Sequence, residues 1–448
     1  MKKIFLVFFC LITNFIFAID VSNISNEENS LTNLQVEMNS SGQAIAAWQN
    51  NRYHEKSIIE FATSSDFGKT WSEPQFIGES TNIEKLKIII NESDEIMCLW
   101  EKEIDYDYSI LELAISYDFG RTWTITQSDE MKYIMNYSIK NINDIVFIIW
   151  GESTTCENKG IYIKKSTDFG RTWKNIKCVD ENSYFKIFLH ESGHFLIAWD
   201  DSLWDSKTSA FQKLIKYSIS NNFGDDWSEI KSISLNTNEI IDIEQCAIDD
   251  NGHVIIIWLE TKKDDNGEYS TTFHYSYSSD NTKSWSEPTI LEKGLPSARF
   301  WHPKLTLDSS GKMIFIWQAE SENYYEEGDF IKVAISSDFG KTWASSKIIS
   351  DKDYHCCDPF IKIDSNENVL VTWVAQDLYY SSTLQSRYSS DFGINWDPII
   401  DLSNKQFIYH DPIVVNSKGK VILLWKRYLE RKKQYQRIIS SDFGKSWE

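Results

Sequence analysis

The sequence predicts an all-β fold built from eight consecutive units of similar structure. The first observation is an eight-residue motif, S-S-D-F-G-K-T-W starting at Ser64, of which the 448-residue chain carries eight identical or related copies. The copies end at tryptophans spaced 50 to 58 residues apart, namely Trp71, Trp123, Trp173, Trp227, Trp285, Trp343, Trp396 and Trp447. The second observation is an apolar run ending in tryptophan ahead of each copy. Two motifs that recur together at this spacing along the whole chain predict a repeat fold, in which each unit packs only on its neighbours.

The apolar runs predict the second strand of each unit. They end at Trp48, Trp100, Trp150, Trp199, Trp258, Trp317, Trp373 and Trp425. The runs are β-branched and nearly continuous, which is typical of strands buried on both faces. We expect a shorter alternating strand before each run and one strand on either side of the motif, joined by tight turns. Eight units of four antiparallel strands predict an eight-bladed β-propeller.

The motif itself predicts the turn between the third and fourth strands. Its aspartate can accept hydrogen bonds from the backbone of its own turn, and the glycine two residues later permits a positive φ. The motif aspartates are Asp66, Asp118, Asp168, Asp280, Asp338, Asp391 and Asp442. An aspartate that recurs from unit to unit belongs to the scaffold, so no catalytic role is expected for any of them.

The pattern S-x-D-x-G-x-T-W is the Asp-box, and the chain resembles the Asp-box (BNR-repeat) β-propellers of the sialidase-like superfamily. The resemblance covers essentially everything after residue 30 and implies the propeller fold. Its functional implication is broad, because the same box occurs in sialidases, xyloglucan-degrading enzymes, sorting receptors and assembly factors.

The net charge and the N-terminal residues indicate which partners and which cellular location to expect. The net charge of −21 argues against nucleic acid as a partner and disfavours an anionic membrane surface. Residues 1–18 have two lysines, a long apolar run and Ala18, the layout of a secretory signal peptide. We therefore expect residues 19–448 to form a single propeller that is exported to the periplasm, the cell surface or the medium. We expect no later membrane span, no cofactor and a monomer.

Six cysteines follow the signal peptide, too few for a disulfide scaffold in a chain of this length. Cys98 and Cys246 lie within strand patterns and are predicted to fill the core. Cys156 and Cys178 flank one unit and could pair. The chain contains no C-x-x-C spacing, so no zinc site of that type is predicted.

The resemblance implies a ligand face opposite the Asp-boxes, formed by loops that vary between units. The loops leading into the last three units share the patterns R-F-W-H-P, H-C-C-D-P and Y-H-D-P. The ligand-binding candidates are Arg52, Arg299, Trp301, His302, His355, Asp358, His410, Asp411 and Arg427. The alternative is that the His and Asp residues before proline only begin strands. A metal site would need at least three of the His and Asp side chains around one point.

A sialidase resemblance implies three arginines around the substrate carboxylate, a Tyr–Glu pair and an acid/base aspartate. The first unit begins with T-N-L-Q-V at Thr32 in place of the R-I-P motif, and no aspartate follows Arg52 before the first box. No single tyrosine is identified as the nucleophile among Tyr324, Tyr325, Tyr409 and Tyr428. We therefore expect a non-catalytic module that binds a glycan or a protein. The alternative is an exo-sialidase with a rearranged active site.

The last unit raises the question of how the ring closes. Only Glu448 follows the last box tryptophan, Trp447, so the eighth unit has no fourth strand of its own. An unpaired strand edge invites aggregation. Residues 19–24 precede the first strand of the first unit, and we expect them to pair with the last unit as its fourth strand.

Overall fold

The computed structural model describes residues 30–448, apart from residues 52–56, 81–84, 106–107, 129–130, 133, 153–159, 180–184, 206–209, 236, 238, 264–266, 295–298, 322–327, 378–380, 404–412 and 430–431. The regular structure of the described residues is antiparallel β-sheet.

The strands form eight sheets in chain order, here called blades 1 to 8. Blades 1 and 2 contain β1 Ser30–Met38, β2 Ala44–Asn51, β3 Ser57–Ser64, β4 Gln75–Ser80, β5 Lys87–Ile90, β6 Ile96–Asp105, β7 Tyr108–Ser116, β8 Thr124–Gln127 and β9 Met131–Lys132, the last pairing with β7. Blades 3 and 4 contain β10 Ile134–Ile142, β11 Ile145–Glu152, β12 Gly160–Ser166, β13 Lys174–Val179, β14 Phe185–Leu189, β15 Phe195–Asp205, β16 Ala210–Ser220 and β17 Lys231–Ser234. Blades 5 and 6 contain β18 Ile240–Ile248, β19 Val254–Lys263, β20 Tyr269–Ser278, β21 Thr289–Lys293, β22 Phe300–Leu307, β23 Met313–Ala319, β24 Phe330–Ser336 and β25 Lys347–Ile348. Blades 7 and 8 contain β26 His355–Ile363, β27 Val369–Gln376, β28 Ser382–Ser389, β29 Ile400–Asp401, β30 Ile413–Ser417, β31 Lys420–Leu429 and β32 Lys432–Ser440.

The core is divided into hydrophobic clusters that lie between neighbouring blades. One cluster joins each consecutive pair from blade 1 to blade 8. The remaining cluster closes the ring, because Leu34 and Val36 of blade 1 pack with Ile422, Leu424 and Tyr435 of blade 8. The predicted all-β propeller is therefore confirmed. Seven blades have the complete set of four strands, and the eighth sheet has three in the described part of the chain.

The Asp-boxes form the turns that the sequence predicts. In the first box, Asp66 accepts hydrogen bonds from the Ser64 hydroxyl at 2.8 Å, the Thr70 backbone N–H at 2.8 Å and the Thr70 hydroxyl at 2.6 Å. The turn holds two consecutive residues in the left-handed region, Phe67 with φ 62° and Gly68 with φ 76°. The positive φ of the phenylalanine was not expected, because bulky residues rarely adopt it. The box is a structural turn whose side chains satisfy its own backbone.

Seven of the eight tryptophans that end the apolar runs are buried between blades, and Trp150 is partly buried. Trp48, Trp100, Trp317 and Trp373 are fully inaccessible to solvent. Cys98 and Cys246 are buried free thiols within this core, as predicted. The pairing of Cys156 with Cys178 and the closing strand at residues 19–24 lie outside the described residues. Among the described residues, no helix has the length and apolar character needed to cross a membrane.

Candidate functional site

Several innermost strands begin with an irregularity that redirects side chains. The register of β22 against β23 shifts between Trp301 and Lys304, and that of β26 against β27 shifts between Cys357 and Phe360. At these shifts His302 has φ 49° and Asp358 has φ 53°, the left-handed region. Each of the two residues precedes a proline. A bulge with a strained backbone re-aims a side chain and is common beside functional sites.

The two bulges place a histidine of blade 6 beside an aspartate of blade 7. His302 Nδ1 lies 2.8 Å from Asp358 Oδ1, and 54% of the histidine side chain is exposed. The pair lies on the side of the ring opposite the boxes. Trp301 pairs with Gln318 near one end of β23, whereas Met313 at the other end of β23 pairs with Ser336 of the box. The structure thus brings together two candidates that the sequence placed on different units.

Trp301 presents an exposed ring held in one orientation. Its indole N–H donates to Glu320 Oε1 at 2.8 Å, and the Arg299 backbone N–H donates to the other oxygen of the same carboxylate at 2.9 Å. The Arg299 guanidinium lies 5.8 Å from the centre of the Trp301 ring. The ring remains 40% exposed, so one aromatic surface is fixed and still accessible.

These side chains border a pocket of about 540 Å³ between blades 4, 5 and 6. Arg299, Trp301 and His302 form one wall. The other walls are formed by residues that the sequence interpretation missed, among them Lys186, Asp242, Glu244, Gln245, Tyr269 and Thr271. For Asp242, Glu244 and Gln245 the signal was the alternation of polar and apolar residues along the first strand of blade 5, I-I-D-I-E-Q-C-A-I from Ile240.

The charged groups of the pocket influence one another. Lys186 Nζ lies 3.8 Å from Glu244 Oε2. Burial raises the pKa of Glu244, and this rise is opposed by Lys186 and reinforced by the negative charge of Asp242. The pocket therefore offers both hydrogen-bond donors and acceptors to a polar ligand, with one carboxyl group that is more easily protonated than usual.

The remaining candidates do not extend this pocket. His355 begins β26 and lies near Asp329, whose pKa is raised by burial while His355 opposes the rise. Arg427 lies on β31, but its side chain is outside the described part of the chain, as are Arg52, His410 and Asp411. In the described ranges no group of three His, Cys, Asp or Glu side chains could hold a metal ion.

A family model, the BNR repeat-like domain, matches residues 193–448, which is more than half of the chain. The chain belongs to the BNR repeat-like domain family. This BNR protein is an Asp-box propeller of the sialidase-like superfamily, as its sequence motif predicts. Comparison with curated proteins finds no match.

Several solved structures resemble this BNR propeller at low identity. A polysaccharide lyase of family PL25, an ulvan lyase bound to -[GlcA(1-4)Rha3S]-, is 10% identical with a TM-score of 0.52, over 94% of this chain and 96% of the other. The polysaccharide lyase Uly1 is 10% identical with a TM-score of 0.48, over 84% and 94%. The NanB sialidase from Streptococcus pneumoniae is 12% identical with a TM-score of 0.34, over 93% and 68%. The likeness to the ulvan lyase supports the fold alone.

Proposed function

We propose that this protein is an exported, non-catalytic propeller that binds a glycan in the pocket between blades 4, 5 and 6. The observation that carries the proposal is the Trp301 ring, which is exposed and is oriented by Glu320 at the edge of a polar pocket. Sugars stack their apolar faces on aromatic rings, while the hydroxyl groups bind polar side chains. Trp301 supplies the aromatic surface, and Lys186, Asp242 and Gln245 supply the polar side chains.

Arg299 and the nearby lysines favour a glycan with acidic groups. Arg299, Lys186 and Lys304 all border the pocket, in a chain whose net charge is −21. Guanidinium groups bind carboxylates and sulfates through charge-assisted hydrogen bonds. The ulvan lyase with the similar fold is described as bound to a saccharide with uronate and sulfate groups, so acidic oligosaccharides are the first ligands to test.

The non-catalytic part of the proposal rests on what a sialidase site would require. Arg299 is the one arginine among the described residues that line the pocket, whereas sialidases hold their substrate with three. The sequence also has no arginine at the start of the first unit, where Thr32 and Asn33 stand. Export is proposed from residues 1–18, whose pattern is that of a signal peptide.

The test is calorimetric titration of the mature protein with neutral and acidic oligosaccharides. Trp301→Ala is expected to weaken binding of the acidic ligand at least about fivefold, because truncating a stacking aromatic commonly costs more than about 1 kcal/mol. Trp204→Ala is the matched control, because Trp204 is also exposed (53%) but packs edge-on against Phe211 outside the pocket.

Equal binding by the Trp301 variant and the parent would contradict the glycan site. The same preparations are also incubated with a fluorogenic sialoside, and no release above that of a buffer blank is expected. Efficient release that Arg52→Ala abolishes would instead support the rearranged sialidase.

A further inference from the structure

The innermost strands of the ring carry lysines whose side chains are turned away from the blade interfaces. On β1, β10 and β26 the neighbouring residues Val36, Ile139 and Ile361 are buried in the hydrophobic clusters. Side chains alternate between the two sides of a strand. The intervening Glu37, Lys140 and Lys362 are therefore turned towards the axial channel, where solvent reaches them.

Glu37, Lys140 and Lys362 lie at the same height in the ring. On the second strand of each blade they pair with Ile45, Phe147 and Leu370. Each of these partners is the next residue after the one that pairs with the box serine, so the three positions are equivalent. Three different blades, 1, 3 and 7, thus place one carboxylate and two ammonium groups in one layer of the channel.

A second layer of lysines lies next to the first, on the side of the glycan pocket. Lys87, Lys186 and Lys304 occupy the equivalent position of blades 2, 4 and 6, pairing with Leu99, Ala198 and Ile316. This position is two residues earlier on the strand, so the layers are roughly 7 Å apart. Together the two layers hold five lysines and one glutamate.

The positive charge of the lysines at the axis is only partly offset by carboxylates, with Lys186 Nζ 3.8 Å from Glu244 Oε2 and Glu37 in the same layer as Lys140 and Lys362. Within the described part of the chain, Lys87, Lys140 and Lys362 form no ion pair with Glu37 or with another acidic side chain. Desolvation lowers the pKa of Lys87, and Lys140 and Lys85 lower it further. Desolvation also lowers the pKa of Lys362, where Glu37 opposes the effect and Lys140 adds to it. Glu37 is thus shared by Lys140 and Lys362, and an added anion would be attracted by the remaining positive charge of the three ammonium groups.

We infer that the axial channel is an oxyanion-binding site, formed by Lys87, Lys140 and Lys362 beneath the pocket. A sulfate, phosphate or carboxylate group would accept charge-assisted hydrogen bonds from ammonium groups on three blades. The oxyanion is either a free ion or a substituent of a saccharide whose ring occupies the pocket. Both sources share the same chemistry at the lysines.

The site is tested by titrating the mature protein with sodium sulfate at constant ionic strength, with chloride as the background anion. Sulfate is expected to bind, and to raise the melting temperature more than chloride, because a ligand of the folded state stabilises it. Lys140→Gln and Lys362→Gln should each weaken sulfate binding about tenfold or more. Glu37→Gln should strengthen it, because the competing carboxylate is removed.

Lys283→Gln is the matched control, since Lys283 is exposed in the box of blade 5 and should leave sulfate binding unchanged. Opposite effects of the lysine and Glu37 variants cannot result from loss of folding. No preference for sulfate over chloride, or unchanged affinity in both lysine variants, would overturn the site.

A sulfated disaccharide and its desulfated form then distinguish the source of the anion. If the sulfated form binds more tightly than inorganic sulfate and Trp301→Ala removes the difference, the anion is a glycan substituent. If it binds no more tightly, the anion is a free ion. Both results support the lysine site, which can therefore stand even if the proposed glycan function fails.

Discussion

At the scale of single residues, the Asp-box shows that hydrogen-bond polarity can be reversed without changing the turn. In blade 4 asparagine replaces the box aspartate. Asn222 Oδ1 accepts from the Asp226 backbone N–H at 3.0 Å, and Asn222 Nδ2 donates to Asp226 Oδ2 at 2.9 Å. In the first box the direction is opposite, because the Thr70 hydroxyl donates to Asp66. The donor and acceptor have exchanged places, and the turn still forms.

Asn222→Asp is therefore expected to destabilise the protein. It places two carboxylates together and removes the side-chain N–H donor between them, which should lower the free energy of unfolding by about 1 kcal/mol at pH 7. Repulsion raises the folded-state pKa of the carboxylates, so the loss should shrink as the pH falls and one of them binds a proton. Urea unfolding at pH 7 and pH 4 measures both effects. The double variant Asn222→Asp/Asp226→Thr recreates the common box and should regain the stability; if it does not, the explanation by polarity is wrong.

In the boxes that have an aspartate, hydroxyl and backbone N–H donors lower the pKa of that aspartate. The hydrogen bond from the Thr172 hydroxyl, followed by that from the Thr172 backbone N–H, lowers the pKa of Asp168 to about 2. Asp280 has a pKa of about 2 for the same reason, with Ser284 as the donor. These carboxylates stabilise the fold when ionised, so their contribution is present above the ordinary aspartate pKa and is lost as the pH falls towards 2.

At the scale of a strand pair, the buried tryptophans differ in how their indole N–H groups are satisfied. Trp100 Nε1 donates to Glu112 Oε2 at 2.9 Å, and Glu112 also accepts from Lys102 and Gln127. The Nε1 group of Trp317 is buried without a hydrogen-bond partner among the described residues. Both side chains are completely inaccessible to solvent, so the comparison isolates the hydrogen bond.

Trp100→Phe is expected to cost about 1–2 kcal/mol more than Trp317→Phe, because it removes a buried hydrogen bond to a carboxylate. The lost ring volume is the same in both variants and leaves a similar cavity term. Guanidinium unfolding of the two proteins measures the difference. Equal losses would mean that the hydrogen bond between Trp100 and Glu112 adds nothing to the stability of blade 2.

At the scale of the whole molecule, blade 8 is where the ring closes. The Arg437 guanidinium donates to the backbone carbonyls of Gly68 and Lys69 in blade 1, in addition to the hydrophobic contacts between the two blades. On the outer side of β32, the backbone of Ile439 exchanges hydrogen bonds with the backbone of Glu448. Pairing of residues 19–24 with this outer edge stays a prediction, because those residues lie outside the described part of the chain.

Deleting residues 19–26 is therefore expected to lower the melting temperature by at least ~2 °C and to increase aggregation, because it would expose the edge of β32. Thermal unfolding and light scattering measure the two effects. Val21→Pro should behave like the deletion, because proline cannot donate to a β-ladder, whereas Val21→Thr should behave like the parent. A deletion variant with unchanged melting temperature and solubility would exclude closure by this segment.

The repeat, the order of the strands and the structural role of the boxes could all be predicted from the amino-acid sequence. Each of these is encoded within one unit of about fifty residues: the run before Trp48 dictates a buried strand, and the Ser64–Asp66–Thr70 spacing dictates the turn. Local periodicity and turn chemistry require no knowledge of distant residues. Eight copies of the motif in one chain then identify the repeat.

The positions of the candidate side chains relative to one another follow from the tertiary structure. His302 meets Asp358 because bulges on two blades turn both side chains towards each other, and the register of a strand is set by its packing. Lys87, Lys140 and Lys362 share one channel because ring closure brings blades 2, 3 and 7 around a common axis. Residues from units so far apart in the chain carry no local signal of their proximity. Their meeting follows from the geometry of the closed ring.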